Sequence, residues 1–181
     1  MIDRDRFFAA VRARAFGGSM TQRQVDGCNA ILDGWDARPD LTDRRWLAYM
    51  LATAKWETAH TMQPIEEYGR GAGHDYGGPD PQTGQAYYGR GYVQLTWKTN
   101  YQKMAALTGV DLVYRPELAL DPKIAAVVMF EGMRGGLFTG VGLPKYFNPL
   151  TDDPVGARRI INGADRAWEI AQIHHAFLSG L

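Results

Sequence analysis

The sequence predicts a mainly α-helical (α+β) fold, formed by a single domain over residues 1–181. Helix-start signals recur along the chain and precede segments with helical apolar spacing. By contrast, only residues 92–97 alternate as a β-strand does. The 181 residues are enough for one domain with a substantial core, and the 45% hydrophobic content is typical of a globular protein.

Six segments carry the features of α-helices. Thr21 and Gln24 form a capping-box sequence, in which each side chain satisfies a backbone N–H near the other residue. Asp121 precedes Pro122, which combines an N-cap with a first-turn proline, and the same start signal recurs at residues 153–154. The predicted helices are residues 3–16, 21–34, 43–58, 98–108, 121–135 and 165–177, and the segment 138–149 is expected to be irregular.

Residues 68–85 are dominated by Gly, Pro, Asp and Gln and predict a long loop between the third and fourth helices. Loops of this length in a compact domain are usually functional or mobile. The glycines do not follow the G-x-G-x-x-G spacing, so the sequence does not predict a nucleotide-binding loop. His74 is expected to be an exposed loop residue.

Residues 92–97 predict a short strand with one polar and one apolar face. Alternation places Tyr92, Gln94 and Thr96 on one face, where hydroxyls and an amide could bind sugar hydroxyls or N-acetyl groups. The opposite face would carry Val93, Leu95 and Trp97 as an apolar anchor. A half-buried edge strand explains the same pattern without a ligand. Any sheet is expected to be small and confined to residues 87–96.

Glu57 is the most informative carboxylate of the chain. Helical spacing places it within about 40° of Trp46 and Met50, on the face that packs inward. Burial and the negative end of the helix dipole both disfavour its anion, as a general acid requires. Glu66 and Glu67 follow in a loop, and a helix-end carboxyl facing a loop carboxylate suits glycoside hydrolysis. A structural ion pair between Glu57 and an arginine is the alternative.

Other types of catalytic site lack the residues that they need. The histidines have no metal-binding spacing, and no cysteine partner is present, so no metal and no cofactor are expected. Neither serine lies in a nucleophile-elbow sequence, and the single cysteine, Cys28, allows no disulfide within the chain. Lys plus Arg and Asp plus Glu both number 20, and no apolar run approaches the ~20 residues of a membrane span. Neither nucleic acid nor a membrane is therefore an expected partner.

Four blocks of sequence make the carboxylate interpretation specific. They are Glu57-Thr58 at a helix end, residues 62–69 (MQPIEEYG), residues 87–96 (YYGRGYVQLT) and residues 160–163 (IING). In this order they resemble glycoside hydrolase family 19, which comprises plant-type chitinases and many phage or prophage endolysins. The resemblance covers residues 45–177, and the YYGRG block followed by QLT is its most distinctive part.

The resemblance implies a lysozyme-like bilobal helical fold with a cleft, a small β-hairpin region lining it, and an inverting mechanism. By position, Glu57 matches the general acid and Glu67 the general base, although a different loop register would make Glu66 the base. The residues that match substrate-binding or water-positioning groups are Glu66, Tyr88, Arg90, Gln94, Thr96, Asn100 and Asn162, with Arg90 placed to orient a carboxylate. The family usually has His before the acid, and this chain has Trp56.

The substrate suggested by the resemblance is a β-1,4-linked polysaccharide. With one cysteine and no signal peptide at its N-terminus, the chain is more similar to endolysins than to the secreted, disulfide-rich plant enzymes. It is therefore expected to be a monomer made in the cytoplasm, released by a holin, and active on peptidoglycan. Chitin oligomers are the second substrate. A carbohydrate-binding or inhibitory protein that retains the cleft without turnover is the alternative from another functional class.

Overall fold

The computed structural model describes residues 1–181 as a mainly helical protein, which confirms the predicted fold class. The α-helices are α1 (Arg4–Arg14), α2 (Gln22–Asp36), α3 (Arg44–Glu57), α4 (Lys98–Thr108), α5 (Pro122–Gly135), α6 (Leu143–Tyr146) and α7 (Ala167–Leu178). The β-strands are β1 (Ile65–Glu66), β2 (Arg90–Gly91), β3 (Phe147–Asn148) and β4 (Thr151–Asp152). Three short 3-10 helices span Asp75–Gly77, Pro116–Leu120 and Gly156–Ile160.

The capping signals begin the helices much as the sequence predicts. Both hydrogen bonds of the Thr21–Gln24 capping box are present at α2. The Asp121 carboxylate accepts two backbone N–H groups at the start of α5. At α3 the cap is Asp43, the first residue of the predicted helix 43–58. The start signal at residues 153–154 leads only to the 3-10 helix that ends at Ile160, because so short a segment closes with tighter i→i+3 hydrogen bonds.

Helix α3 lies at the centre of the molecule. The nine consecutive residues from Leu47 to Lys55 are all buried, so the helix is enclosed on every side. It packs along α7, and it also contacts α2 and α5. One continuous hydrophobic cluster joins these elements. The C-terminal end of α3 therefore holds Glu57 at a fixed place where the core meets the surface.

The alternation expected for residues 92–97 is wrong. The strand β2 ends at Gly91, and Gln94 has a φ of +52°, which turns the chain back. The backbones of Arg90 and Leu95 then exchange two hydrogen bonds across this turn, of 2.9 and 3.2 Å. As a result Tyr92 is fully buried, whereas Trp97 is 48% exposed.

The β structure extends beyond residues 87–96, which corrects a second expectation. Strand β2 pairs with β1 to form the β1–β2 hairpin, and β1 lies outside residues 87–96, directly before Glu67. Strands β3 and β4 form another hairpin, within and just after a segment expected to be irregular. The tight turn between them is stabilised by Asn148, whose side-chain oxygen accepts the N–H of Leu150 at 2.9 Å.

Cys28 is a buried residue of the core. Burial raises the pKa of its thiol to about 12, so the thiol stays protonated and inert. No helix combines the length and the apolar composition that crossing a lipid bilayer requires.

His174 on α7 should make the protein less stable in acid. Its side chain is fully buried, and neither ring nitrogen has a hydrogen-bond partner within the protein. Burial, with a smaller contribution from His175, lowers the pKa of His174 to about 3. An unfolded chain binds this proton near pH 6.5, so folding stability falls as pH drops from about 6.5 towards 3. The cost at pH 5 is about 2 kcal/mol.

Urea denaturation at pH 7.5 and pH 5 checks this expectation. His174→Phe removes the titrating group and keeps an aromatic ring beside Phe147, on which His174 stacks at 5.3 Å between ring centroids. The wild type should lose about 2 kcal/mol more than the variant between the two pH values. Equal losses would show that His174 does not carry the acid sensitivity.

Candidate active site

The two predicted catalytic carboxylates line one cavity of about 380 Å³. The cavity lies beside the C-terminal end of α3 and the β1–β2 hairpin, with the start of α4 and the segment before α7 completing its walls. Its lining residues are Glu57, Glu67, Tyr76, Gly89, Val93, Gln94, Leu95, Thr96, Trp97, Asn100, Phe138, Ile161 and Asn162.

Glu57 is the last residue of α3, and its side chain is 16% exposed. The guanidinium of Arg158, which is 4% exposed, donates to Glu57 Oε1 at 2.5 Å. Arg158 is itself fixed by a 3.0 Å hydrogen bond from its Nε to the carbonyl of Asp165. Glu57 Oε2 has no hydrogen-bond partner within the protein. Trp56, which precedes the carboxylate, is half-buried and meets the ring of His60 edge-on at 5.9 Å.

The ion pair changes the charge environment expected for Glu57. Burial and the helix dipole were expected to be the main influences on Glu57, but a guanidinium also contacts its carboxylate. The alternative of an arginine partner is therefore what the structure contains. The ion pair orients the carboxyl group at the cavity wall, and it would stabilise the anion left after a proton is given up.

Glu67 is held from both sides. Its Oε1 accepts the hydroxyl of Tyr76 at 3.1 Å, and its Oε2 accepts the backbone N–H of Gly89 at 2.9 Å. The backbone N–H of Glu67 also donates to the Gly89 carbonyl at 2.8 Å, directly beyond the β1–β2 pairing. The hairpin and one tyrosine thus position this carboxylate with its charge solvated by two donors.

Glu66 points away from the cavity, because neighbouring residues of a strand face opposite sides. Its Oε1 accepts the hydroxyl of Tyr88 at 2.8 Å, and its Oε2 lies 3.0 Å from the guanidinium of Arg70. Arg90 is also close, with its Nε 3.7 Å from Glu66. Of the two adjacent carboxylates, only Glu67 is free of such a cluster of cations and faces the cavity.

Two residues expected to bind substrate lie behind the cavity wall. Tyr88 and Arg90 are both buried, and the Arg90 guanidinium lies 3.6 Å from the centre of the Tyr88 ring. Arg90 also donates to the carbonyl of Ala86 at 3.0 Å and to the hydroxyl of Tyr101 at 3.1 Å. The YYGRG block therefore stabilises the hairpin and orients Glu66. The charged group of Arg90 lies behind the wall and does not line the cavity.

The other residues expected at the site do line the cavity, namely Gln94, Thr96, Asn100 and Asn162. Three of them are linked to one another. The Thr96 hydroxyl donates to the Gln94 carbonyl at 3.2 Å, and the Asn100 amide donates to the Thr96 carbonyl at 3.0 Å. The tight turn at Gln94 thus brings amide and hydroxyl groups to the same cavity as the two carboxylates.

Three residues of the site were missed by the sequence reasoning. Arg158 lies 101 residues from Glu57, and no local pattern announces their pairing. Tyr76 lies in the glycine-rich loop, and its ring meets Trp97 edge-on at a centroid distance of 5.1 Å. Trp97 was assigned to the apolar anchor, but its φ of +71° brings it to the cavity.

The chain was compared with known families and proteins. The glycoside hydrolase family 19 model, described as chitinase class I, matches residues 50–133. Endochitinase 1 of Theobroma cacao is 49% identical over 43 residues, which are 23% of this chain and 13% of that protein. Endochitinase A2 of Pisum sativum is 46% identical over 44 residues, which are 24% of this chain and 14% of that protein. The alignments thus span only a small part of these curated relatives.

Two solved structures share the fold over nearly the whole chain. Chitinase C from Streptomyces griseus HUT6037 is 24% identical, with a TM-score of 0.59, over 97% of this chain and 88% of that one. A bacterial family 19 chitinase is 20% identical, with a TM-score of 0.60, over 96% of this chain and 94% of that one. The matched segment 50–133 contains Glu57, Glu67 and the whole YYGRG block. Residues 50–133 of the chain thus match the glycoside hydrolase family 19 model, and the chain shares its fold with these chitinases.

Proposed function

We propose that this protein hydrolyses β-1,4 glycosidic bonds between N-acetylated sugars by an inverting, two-carboxylate mechanism. The observation that carries the proposal is that Glu57 and Glu67 enter one cavity from two separate elements. An inverting enzyme needs such a pair, with one carboxyl on each side of the scissile bond and room for a water beside the base.

Glu57 takes the role of general acid. It protonates the leaving oxygen of the glycosidic bond and becomes an anion in the same step. Arg158 then stabilises the new charge, because its guanidinium already contacts Oε1. The oxygen without a protein partner, Oε2, is the one available to the substrate.

Glu67 takes the role of general base. Each of its oxygens accepts one hydrogen bond from the protein and retains capacity to accept a proton from water. Thr96 lines the same cavity, and its hydroxyl can hold that water with Glu67. Gln94, Asn100 and Asn162 offer amide groups to sugar hydroxyls and N-acetyl groups.

Peptidoglycan is the substrate that we propose first. A side pocket of about 210 Å³ adjoins the cavity, and Tyr76 and Trp97 line both. Every second sugar of peptidoglycan carries a peptide branch, whereas chitin is unbranched. A pocket beside the cleft could bind a peptide branch, and this supports peptidoglycan as the substrate. Such an enzyme would act on the cell wall after holin-dependent release.

Chitin is the second candidate, and the comparisons favour it. The relatives and solved structures named above are endochitinases and chitinases. The same two carboxylates would serve either polymer, since both contain β-1,4-linked N-acetylglucosamine. The hydrolysis itself is therefore the same for both substrates. Peptidoglycan and chitin differ in the sugar units that the cleft must bind and in the products that it releases.

Parallel digests separate the candidates. Purified protein is incubated with peptidoglycan sacculi and with soluble chitin oligomers, and new reducing ends are counted for the wild type and for Glu57→Gln. The proposal predicts faster release from sacculi, lost in the variant. Faster cleavage of chitin oligomers would transfer the function to the second candidate. Binding to either glycan without any new reducing ends would overturn the proposed hydrolase.

A further inference from the structure

The glycine-rich loop, residues 68–85, supplies one side chain to the candidate catalytic cavity. That side chain is Tyr76, which belongs to the short 3-10 helix Asp75–Gly77. Its hydroxyl donates to Glu67 Oε1 at 3.1 Å. A loop that the sequence marked only by its glycines therefore contacts the proposed base directly.

The glycines are needed to bring Tyr76 to this place. Gly71 has a φ of +72°, and a Cβ added there would lie 2.7 Å from the Cα of Gly77 and 2.9 Å from the Tyr76 ring. A Cβ added at Gly77 would overlap the carbonyl oxygen of Gly71. Two segments of the loop, at Gly71 and Gly77, thus pack against each other next to Tyr76. Only glycine, which has no Cβ, permits so close an approach.

The tyrosine ring is also fixed by its aromatic neighbours. His74 is an exposed loop residue, as predicted, and its ring stacks on the Tyr76 ring at a centroid distance of 4.9 Å and an interplanar angle of 7°. Trp97 meets the ring edge-on at 5.1 Å. The backbone carbonyl of Tyr76 accepts the N–H of Tyr87 at 3.0 Å, which ties the loop to the YYGRG block. These contacts hold the ring with its hydroxyl directed at Glu67.

We propose that Tyr76 is a positioning residue for the general base, and that the glycine-rich loop is folded to present its hydroxyl to Glu67. This inference rests on the proposed function, in which Glu67 activates water. Tyr76 holds one carboxylate oxygen and the Gly89 N–H holds the other, so the plane of the carboxylate is set. Both donors stabilise the ionised form, which is the form that a base must have.

The hydroxyl is itself suited to remain a donor. Burial raises the pKa of Tyr76, and the hydrogen bond to Glu67 raises it further. The other titratable groups near the pair are His74 behind the ring, Glu57 across the cavity and Glu66 next in sequence. Glu66 is turned towards Arg70 and Arg90, so it does not compete for the Tyr76 hydroxyl.

Tyr76→Phe removes only the hydroxyl and keeps the ring between His74 and Trp97. On whichever of the two substrates is cleaved faster, kcat should fall about 10- to 100-fold with little change in KM, as expected for a lost charge-assisted hydrogen bond. The acid limb of the pH profile of kcat/KM should move to higher pH, because the base loses a donor to its anion. His74→Phe keeps the stack without a titrating ring and should leave the acid limb in place.

Tyr68→Phe is the matched control, since Tyr68 is in the same loop, is 82% exposed and its hydroxyl makes no hydrogen bond to Glu67. It should leave kcat and the pH profile unchanged. A wild-type profile for Tyr76→Phe, or a rise in KM alone, would overturn the positioning role. Glu67→Gln is measured beside these variants. Near-normal activity in Glu67→Gln would instead remove the base assignment on which the inference rests, so the two failures are distinguishable.

Discussion

Glu67→Gln is expected to lower kcat by roughly 10²–10⁴-fold, the range typical of a lost general base. The amide keeps the shape of the side chain and can still accept the hydrogen bond from Tyr76, but it cannot take a proton from water. Single-turnover assays and steady-state kinetics on the same glycan would measure the loss. KM should change little, because the defect lies in the chemical step.

Glu66→Gln is the matched control for this change. The two residues are adjacent, but Glu66 faces Tyr88, Arg70 and Arg90, away from the cavity. The control should retain most of the activity and lose some stability, since two arginines would lose part of their charge partner. The reverse ranking of the two variants would transfer the base role to Glu66.

Glu57→Gln is expected to abolish hydrolysis to a similar extent, roughly 10²–10⁴-fold, because no other group at the end of α3 can protonate the leaving oxygen. The structure also predicts lower stability for this variant, by about 1–3 kcal/mol. Arg158 is buried and would lose the charge that compensates its own. If the Glu57 carboxyl group lay in an apolar site without a partner, Glu57→Gln would instead be expected to raise the stability of the protein.

Thermal unfolding and reducing-end assays on the same preparation check both effects. Far-UV circular dichroism shows whether the helices of the variant remain intact. A variant that is folded, destabilised and inactive fits the account. A folded variant with near-wild-type rates would contradict the assignment of Glu57 as the acid.

Local signals in the sequence were sufficient for every α-helix except α6, and for the presence of Glu57 and Glu67 at one site. The capping box at Thr21 and the Asp121-Pro122 start are short-range patterns, and the helix boundaries follow from them. Glu57 could be placed at the end of α3 from helical spacing. The sequence left both Glu66 and Glu67 open as the base, and of the two only Glu67 lines the cavity. The family resemblance then suggested which carboxylate is the general acid and which is the general base.

The features that were missed depend on contacts between distant segments or on unusual backbone angles. The pairing of Arg158 with Glu57 joins residues 101 positions apart. The turn at Gln94 and the exposure of Trp97 both follow from positive φ values at non-glycine residues, which no propensity scale anticipates. The role of Tyr76 was hidden because a glycine-rich segment indicates a loop and does not indicate where the loop packs.

The stereochemistry of the first product tests the central claim most directly. If Glu57 is the acid and Glu67 the base, a water must fit beside the base, so the two carboxyl groups should act at roughly 6.5–9.5 Å separation and invert the anomeric carbon. Proton NMR of a fresh digest, recorded before mutarotation, should then show the α-anomer as first product from the β-linked glycan. A β-anomer as first product would mean a covalent or substrate-assisted intermediate, and would contradict the two-carboxylate inverting mechanism.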